Sequence, residues 1–484
     1  MKVNISISRT ISAIASLLAV SSFALQGRPK DNAGLEWLDD NFYVLDSISR
    51  SIHSFAEPGY KEYKSSAMLI SFLEENGFAV EKGVAGIPTA FVATFGQGEP
   101  VLGILAEYDA LPGLSQAALP YRKAVVEGGY GHGCGHNLLG TGSLAAAVAI
   151  SKWLALGHRG TVKLFGCPAE EGGGAKNYMV RDGVFDGLDA AFIWHPGTKN
   201  CTNLNTGCAT MTIDFTFKGK SAHAGAAPWE GRSALDAVEA LDYMANMMRE
   251  HVRPETRIHY AVIKTNPAPN VVPDVAVVRY YVRHQKMDYA KEVTDRIIKA
   301  AEGAASGTGT KMSYELINCN YPVLANSVLC ALVCEKQNKV GGVILDENEK
   351  AFCRELLKNS GKESVTLDNF ENVVKKVVPY APVGSGSDAG SVSFVAPTSK
   401  LYVASNIVGT GGHSWQQVAV GGTTIGTKAV VNVGKIYYLV ALDLYRNPEI
   451  LKAAKEEFIK ARGEDFVYES LLGDRKPPLD YRDE

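Results

Sequence analysis

Four short, largely apolar runs, each leading to acidic or histidine residues, constrain this chain more than any other feature. Val101–Ala106 (VLGILA) ends in Glu107-Tyr108-Asp109, and 161–166 (TVKLFG) ends in Cys167-Pro168-Ala169-Glu170-Glu171. The run 188–194 (LDAAFIW) ends in His195-Pro196-Gly197, and 400–404 leads through a glycine-rich loop to Gly412-His413-Ser414-Trp415. Runs of this length and composition suit strands buried on both faces, as in an α/β sheet. In such a sheet ligands bind beyond the carboxyl ends of the strands. A lone histidine after a strand is usually a satisfied surface or core group. Several such ends delivering acids and histidines predict one shared site.

A second feature converges on the same place. Gly131-His132-Gly133-Cys134-Gly135-His136-Asn137 sets a thiol and an imidazole two residues apart in a glycine-rich loop. The apolar stretch that follows, LLGTGSLAAAVAISKWLAL, has the spacing of a buried helix. Cys134 and His136 therefore precede a helix N-terminus, where the dipole favours a thiolate. A thiolate and an imidazole are good ligands for a borderline ion such as Zn²⁺. By itself the motif could equally be a buried cysteine beside a capping histidine. Taken with the strand ends, it predicts a metal site.

The length of 484 residues exceeds what one core normally supports, so the expectation is two domains. A net charge of −3 leaves no electrostatic footprint for nucleic acid or an anionic membrane. The eight cysteines show no paired CxxC spacing, which argues against a disulfide scaffold. Lys2 and Arg9 precede a short apolar run, 11–20, and Ser22-Phe23-Ala24 offers a small-x-small cleavage site. Residues 1–25 are therefore expected to be a signal peptide, the mature protein being secreted or periplasmic if it is cleaved and cytoplasmic otherwise. That run is too short and serine-rich for a stable membrane span.

Coarse periodicity divides the rest. Helices are expected over 37–78, broken by the loop Ala56-Glu57-Pro58-Gly59-Tyr60, and two short strands over 85–95 around Ile87-Pro88. From 211 the pattern becomes strand-helix-strand-strand-helix-strand, ending near 316, which is the split βαβ, ferredoxin-like arrangement. The expected division is thus a catalytic domain of 35–207 and 321–462, an inserted lid domain of 208–320, and a polar tail of 463–484. The stretch 346–376 reads as a charged, helical, solvated face. The tail should be surface-bound or mobile.

Nine stretches carry a family resemblance: AEYDALPGLSQ, GYGHGCGHNLLGTG, GCPAEEGGGAK, WHPG, FKGKSAHAGAAPWEGRSALDAVEA, PNVVPD, YYVR, GSGSDAGSVS and GGHSWQQVA occur in this order. Over 37–462 the chain resembles the aminobenzoyl-glutamate hydrolase B-subunit group of the dinuclear metallopeptidase and amidohydrolase clan, which includes aminoacylase and carboxypeptidase G. The resemblance implies a mixed-sheet α/β catalytic domain with an inserted ferredoxin-like lid and dimerisation domain. It implies that Cys134, His136, Glu171, His195 and His413 hold two divalent ions, zinc, manganese or cobalt. It further implies that Glu170 is the general base, that Asp109 orients a histidine ligand, and that His223 reaches an active site, often across a homodimer. Asn270 and Arg283 match positions that hold a substrate carboxylate. Two departures stand out. Position 107 is Glu107 where the wider clan has a histidine, and position 137 is Asn137 where related amidohydrolases have aspartate.

These residue types suit amide hydrolysis. Paired divalent ions supply a nucleophile at neutral pH, and a carboxylate beside them moves the proton. A guanidinium grips a planar carboxylate with parallel hydrogen bonds. The expected activity is hydrolysis of an N-acyl amino acid, an aminobenzoyl-glutamate-like compound or a dipeptide. Two rival readings are a non-catalytic small-molecule-binding protein of the same fold and a structural zinc protein. Neither needs a free carboxylate beside a ligand carboxylate, so the Glu170-Glu171 pair favours the enzyme.

Overall fold

Strands form where the apolar runs predict them. The computed structural model describes residues 30–483, except 205–206, 267 and 381–385. The expected signal segment lies outside the described residues. A seven-stranded sheet has the order β1-β2-β4-β3-β5-β11-β6. Its strands are β1 (Ala79–Lys82), β2 (Phe91–Gln97), β3 (Val101–Ala106), β4 (Gly160–Gly166), β5 (Ala190–Gly197), β6 (Cys201–Thr202) and β11 (Thr398–Ala404). The central β4, β3, β5 and β11 run parallel, so the four polar strand ends emerge along one edge. One expectation is corrected here: no strand begins at Ala85. Ala85 (φ 55°) and Gly86 (φ 70°) are left-handed in a 3₁₀ turn, and the first strand ends before it, at Lys82.

The helix His136–Leu154 is apolar on all sides, and nearly every residue in it is buried. It lies between the sheet and the helix Thr424–Arg446, which is apolar and long enough to cross a membrane yet is mostly buried in this core. Close approach is fixed by small residues: a Cβ on Gly142 would stand 2.7 Å from the Trp194 ring. Trp194 Nε1 donates to Leu139 O at 3.0 Å, tying this helix to β5.

The inserted unit has β7 (Ala209–Lys218), β8 (Arg257–Thr265), β9 (Val275–His284) and β10 (Lys311–Asn320) in the order β10-β7-β9-β8, all antiparallel. Helices Ala234–Met248 and Met287–Thr308 complete the ferredoxin-like pattern. Ser233 caps the first, its Oγ accepting Asp236 N–H at 3.1 Å. The unit's core is continuous with the second face of the large sheet, including Leu105, Phe165 and Ile193. At its base, Asn177 Nδ2 donates to Asn318 Oδ1 at 2.8 Å and Asn320 Oδ1 at 2.7 Å.

Two further segments are more tightly held than their composition suggests. In the charged stretch after residue 346, Glu349 is buried and accepts from Thr424 Oγ1 at 2.6 Å. The tail from 463 is docked rather than loose, with Leu472 buried and Phe466, Tyr468 and Tyr481 packed on the core.

Candidate metal centre at the strand edge

The loop before the helix brings the first donors inward. Gly135 is left-handed at φ 78°, and a Cβ there would lie 2.9 Å from Pro196. His136 opens the helix, and Cys134 sits two residues before it. Cys134 Sγ lies 3.3 Å from His195 Nε2, at the end of β5. Glu170 and Glu171 follow β4 on a tight turn in which Ala169 is left-handed at φ 52°. His413 Nε2 lies 3.2 Å from Glu171 Oε1, and the His413 N–H donates to Gly133 O at 3.0 Å.

These donors form overlapping groups, each with its ligand atoms within 4.8 Å of one another: Cys134, His136 and His195; Cys134, Glu171 and His413; His136, Glu170 and Glu171. Cys134, His136 and Glu171 each belong to two of the groups, so the three groups form one continuous cluster. The expected donor residues thus come together in space. His223, Asn270 and Arg283 lie in the inserted unit, outside these groups.

The electrostatics fit a cation. Burial alone would push the Cys134 thiol up, but His195 and His136 outweigh it and hold the thiol well below its usual value. His195 is pushed up to about 9 despite burial, chiefly by Cys134. Hydrogen bonds to Cys134 and Glu171 raise His413 to about 10. Burial, Glu107 and Glu171 push the Glu170 carboxyl well above the ordinary range. His136 Nε2 and Glu171 Oε1 are buried and only loosely partnered, the first 3.3 Å from Glu107 Oε2 and the second 3.2 Å from His413 Nε2. Unsatisfied buried polar atoms of this kind are costly unless something binds them. A soft thiolate, imidazoles and a carboxylate form a donor set that borderline divalent ions take.

Around the donors lies a supporting layer. Asp109 Oδ1 pairs with His136 Nδ1 at 2.8 Å, so Nε2 is the nitrogen that faces the cluster. Glu107 is explained by a partner that sequence reasoning missed: Lys176 Nζ is 2.7 Å from Glu107 Oε1 and 2.6 Å from Asp388 Oδ1. Glu107 is therefore held by a buried lysine that it shares with Asp388, its Oε2 lies 3.3 Å from His136 Nε2, and it belongs to none of the donor groups among the described residues. Lys176 and Asp388 stand in two of the nine motifs, GCPAEEGGGAK and GSGSDAGSVS, and that position was the one signal for them. Asn137 also has a local reason. Its Nδ2 donates to Gly421 O at 3.0 Å and lies near Ser49, and a carboxylate could not donate there.

His223 is exposed, and its Nδ1 accepts N–H bonds from Gly225 at 3.2 Å and Ala226 at 3.1 Å. It sits beside Asn270, whose carbonyl accepts Ala224 N–H at 3.0 Å, and it bridges to Val271. These residues lie in loops beyond the start of β9 at Val275. Arg283 is at the other end, opposite Thr210, where the inserted unit joins the large sheet. Eight residue steps along the strand separate Val275 from Arg283, roughly 26 Å at strand rise.

Comparison with known proteins agrees with this architecture. The profile of peptidase family M20/M25/M40 matches residues 103–353. The chain is 37% identical to the B-subunit of p-aminobenzoyl-glutamate hydrolase from Escherichia coli (strain K12), covering 85% of this chain and 91% of the relative. It is 29% identical to the Xaa-Arg dipeptidase of Mus musculus, over 87% of this chain and 90% of the relative. A Bacillus subtilis structure described as a dinuclear metal binding peptidase from the M20 family superposes with a TM-score of 0.54 at 19% identity, covering 82% of this chain and 98% of that one. The chain belongs to peptidase family M20/M25/M40 and is an amide-bond hydrolase.

Proposed function

We propose that the protein hydrolyses the amide bond of a small N-acyl amino acid, an aminobenzoyl-glutamate-like compound or a dipeptide, with Glu170 as general base. The observation that carries this reading is Glu170 beside Glu171, within ligand distance of His136 and next to the Cys134-centred donors. Cys134, His136, Glu171, His195 and His413 would hold a pair of divalent ions, zinc, manganese or cobalt. Such ions, when bound, acidify a water and draw charge from the substrate carbonyl.

The chain's own residues then do the following. Glu170 accepts the attacking water's proton at its carboxylate as the C–O bond forms, and then passes it to the amine nitrogen as the C–N bond breaks. Asp109 keeps the proton of His136 on Nδ1 and so holds Nε2 free as a donor. The backbone donors at His223 Nδ1 place that ring's proton on Nε2, ready to donate to a developing oxyanion. Arg283 would bind the substrate carboxylate, with Asn270 assisting.

The length of β9 bears on assembly. One chain holds His223 and Asn270 far from Arg283, so a site using all three draws them from two chains. We therefore read the inserted unit as the dimer-forming part, with His223 and Asn270 serving the partner's metal centre.

The test is a hydrolysis screen of p-aminobenzoyl-glutamate, N-acyl amino acids and dipeptides with Mn²⁺, Zn²⁺ or Co²⁺ added, run beside Glu170→Gln. Amine release by the native chain, reduced by about two to four orders of magnitude in the variant with its metal retained, supports the reading. Equal turnover by both proteins would sink it.

A further inference from the structure

The turn that carries Glu170 and Glu171 is held from several sides. Beneath it, buried Glu62 accepts Ala169 N–H at 2.8 Å, fixing the left-handed residue before Glu170. Asp109 Oδ2 accepts Glu171 N–H at 2.9 Å. The carbonyl of that same residue is gripped from outside by the chain's last residues. Arg482 Nη2 donates to Glu171 O at 2.9 Å, and Tyr481 Oη donates to it at 3.2 Å. Both peptide groups flanking Glu171 are thus pinned, one by the catalytic core and one by the C-terminus.

The seat for Tyr481 is built into distant sequence. A Cβ on Gly59 would stand 2.3 Å from the Tyr481 hydroxyl, so glycine leaves the space this ring needs. Tyr60 meets Tyr481 edge to face at 5.6 Å, and Tyr60 Oη donates to Gly173 O at 2.8 Å in the same turn. Upstream, the tail also grips the inserted unit. Arg475 Nε donates to Glu315 Oε1 at 2.6 Å, and its Nη1 donates to Ile317 O at 2.8 Å. Arg181, on the large-sheet side, donates to Arg475 O at 2.6 Å. One strap therefore runs from β10 of the inserted unit to the carbonyl of Glu171.

We propose that Tyr481 and Arg482 are positioning residues for the Glu170-Glu171 turn, and that the C-terminal strap couples the seating of the inserted unit to the geometry of the metal centre. This rests on reading Glu171 as a metal ligand. A hydrogen-bonded neighbour of a ligand commonly changes metal affinity by about 10–100-fold when it is removed. Here the neighbour acts through the ligand's own peptide group.

The experiment needs no substrate. Mn²⁺ is titrated into metal-free protein, and amide hydrogen exchange of residues 168–174 is followed in parallel. A chain ending at Pro478 should bind Mn²⁺ at least tenfold more weakly and exchange at least tenfold faster over 168–174, with β3 and β5 unchanged. Full-length Arg482→Ala combined with Tyr481→Phe should behave the same way, which covers a shortened chain that fails to fold. Arg482→Lys, which keeps one donor, should recover part of the loss. Unchanged affinity and exchange in the full-length double variant would overturn the strap. Glu171→Ala separates the two ideas. If it leaves Mn²⁺ binding intact, the ligand reading falls and the strap falls with it. If it weakens Mn²⁺ while the strap variants do not, the strap alone falls.

Discussion

Asp109 is bonded at both carboxylate oxygens to residues of the metal centre: Oδ1 to His136 Nδ1 at 2.8 Å, and Oδ2 to the backbone N–H of Glu171 at 2.9 Å. One buried side chain therefore sets a ring orientation and a turn geometry together. It comes from the end of β3, between β4 and β5, which explains how it reaches both.

Asp109→Asn should separate these roles. The amide oxygen can still accept Glu171 N–H, but the amide nitrogen then points a donor at His136 Nδ1. That ring must shift its proton to Nε2, the nitrogen facing the cluster. Metal affinity should fall by about 10–100-fold while the melting temperature of the metal-free protein changes little. Titration of metal-free protein with Zn²⁺ checks this. An unchanged affinity would show that Asp109 does not set the tautomer.

Cys134 gives a second prediction. The other described cysteines are buried, and none is in a disulfide. In metal-free protein the imidazoles of His195 and His136 outweigh burial and favour the Cys134 thiolate, so it should alkylate with iodoacetamide at lower pH than an ordinary thiol. Bound metal should suppress that labelling at least tenfold. Peptide mass spectrometry before and after chelation decides it, and equal labelling in both states would count against a metal-bound thiolate.

Much of this is readable in sequence because the physics is local. The parallel strands are apolar on both faces, and Val101–Ala106 shows that directly. The inserted unit declares itself by a change of period from continuous to alternating, as in β9, whose residues alternate between half-buried and buried. The donors are readable because each ends a strand or opens a helix. What escapes depends on long-range pairing. Lys176 meets Asp388 across 212 residues, and no local pattern marks a lysine that is fully buried. Glu62 likewise looks like an ordinary surface acid. The sequence leaves the tail open between surface-bound and mobile because its apolar residues, Phe466, Tyr468, Leu472 and Tyr481, follow no regular period. Alternation places Ala85 in a strand because it ignores the positive φ that Gly83 and Gly86 frame.

The packing of the helix His136–Leu154 on β5 gives a stability prediction. Gly142→Ala would place a methyl 2.7–2.9 Å from the Trp194 indole, whose Nε1–H is already committed to Leu139 O. Neither the buried ring nor the helix can move freely, so overpacking should destabilise the protein by about 1–3 kcal/mol. Chemical denaturation of the metal-free protein measures this. A stabilising methyl, as expected at an open helical glycine, would mean that the two elements are not in close contact.

The last prediction concerns which chain supplies His223. His223 and Asn270 lie in loops beyond the Val275 end of β9 and Arg283 lies near its other end, the end at which Asn318 of β10 meets Asn177 on the large-sheet side. With the two ends of β9 roughly 26 Å apart, we expect that closure onto the same chain's metal centre brings only one of them there. In a homodimer, the partner's far end can complete the site that Arg283 begins. His223→Ala and Glu170→Gln chains should each be nearly inactive alone. Mixed and reassociated, they should form heterodimers with one intact site, because one chain supplies Glu170 and the other His223. About a quarter of native activity is expected from equal, random mixing, since half the dimers are mixed and each has one working site of two. Differently tagged chains allow the mixed species to be isolated, where the figure should rise to about half. No recovery in isolated heterodimers would place His223 on its own chain's site, and a monomeric active enzyme would remove the dimer from the mechanism.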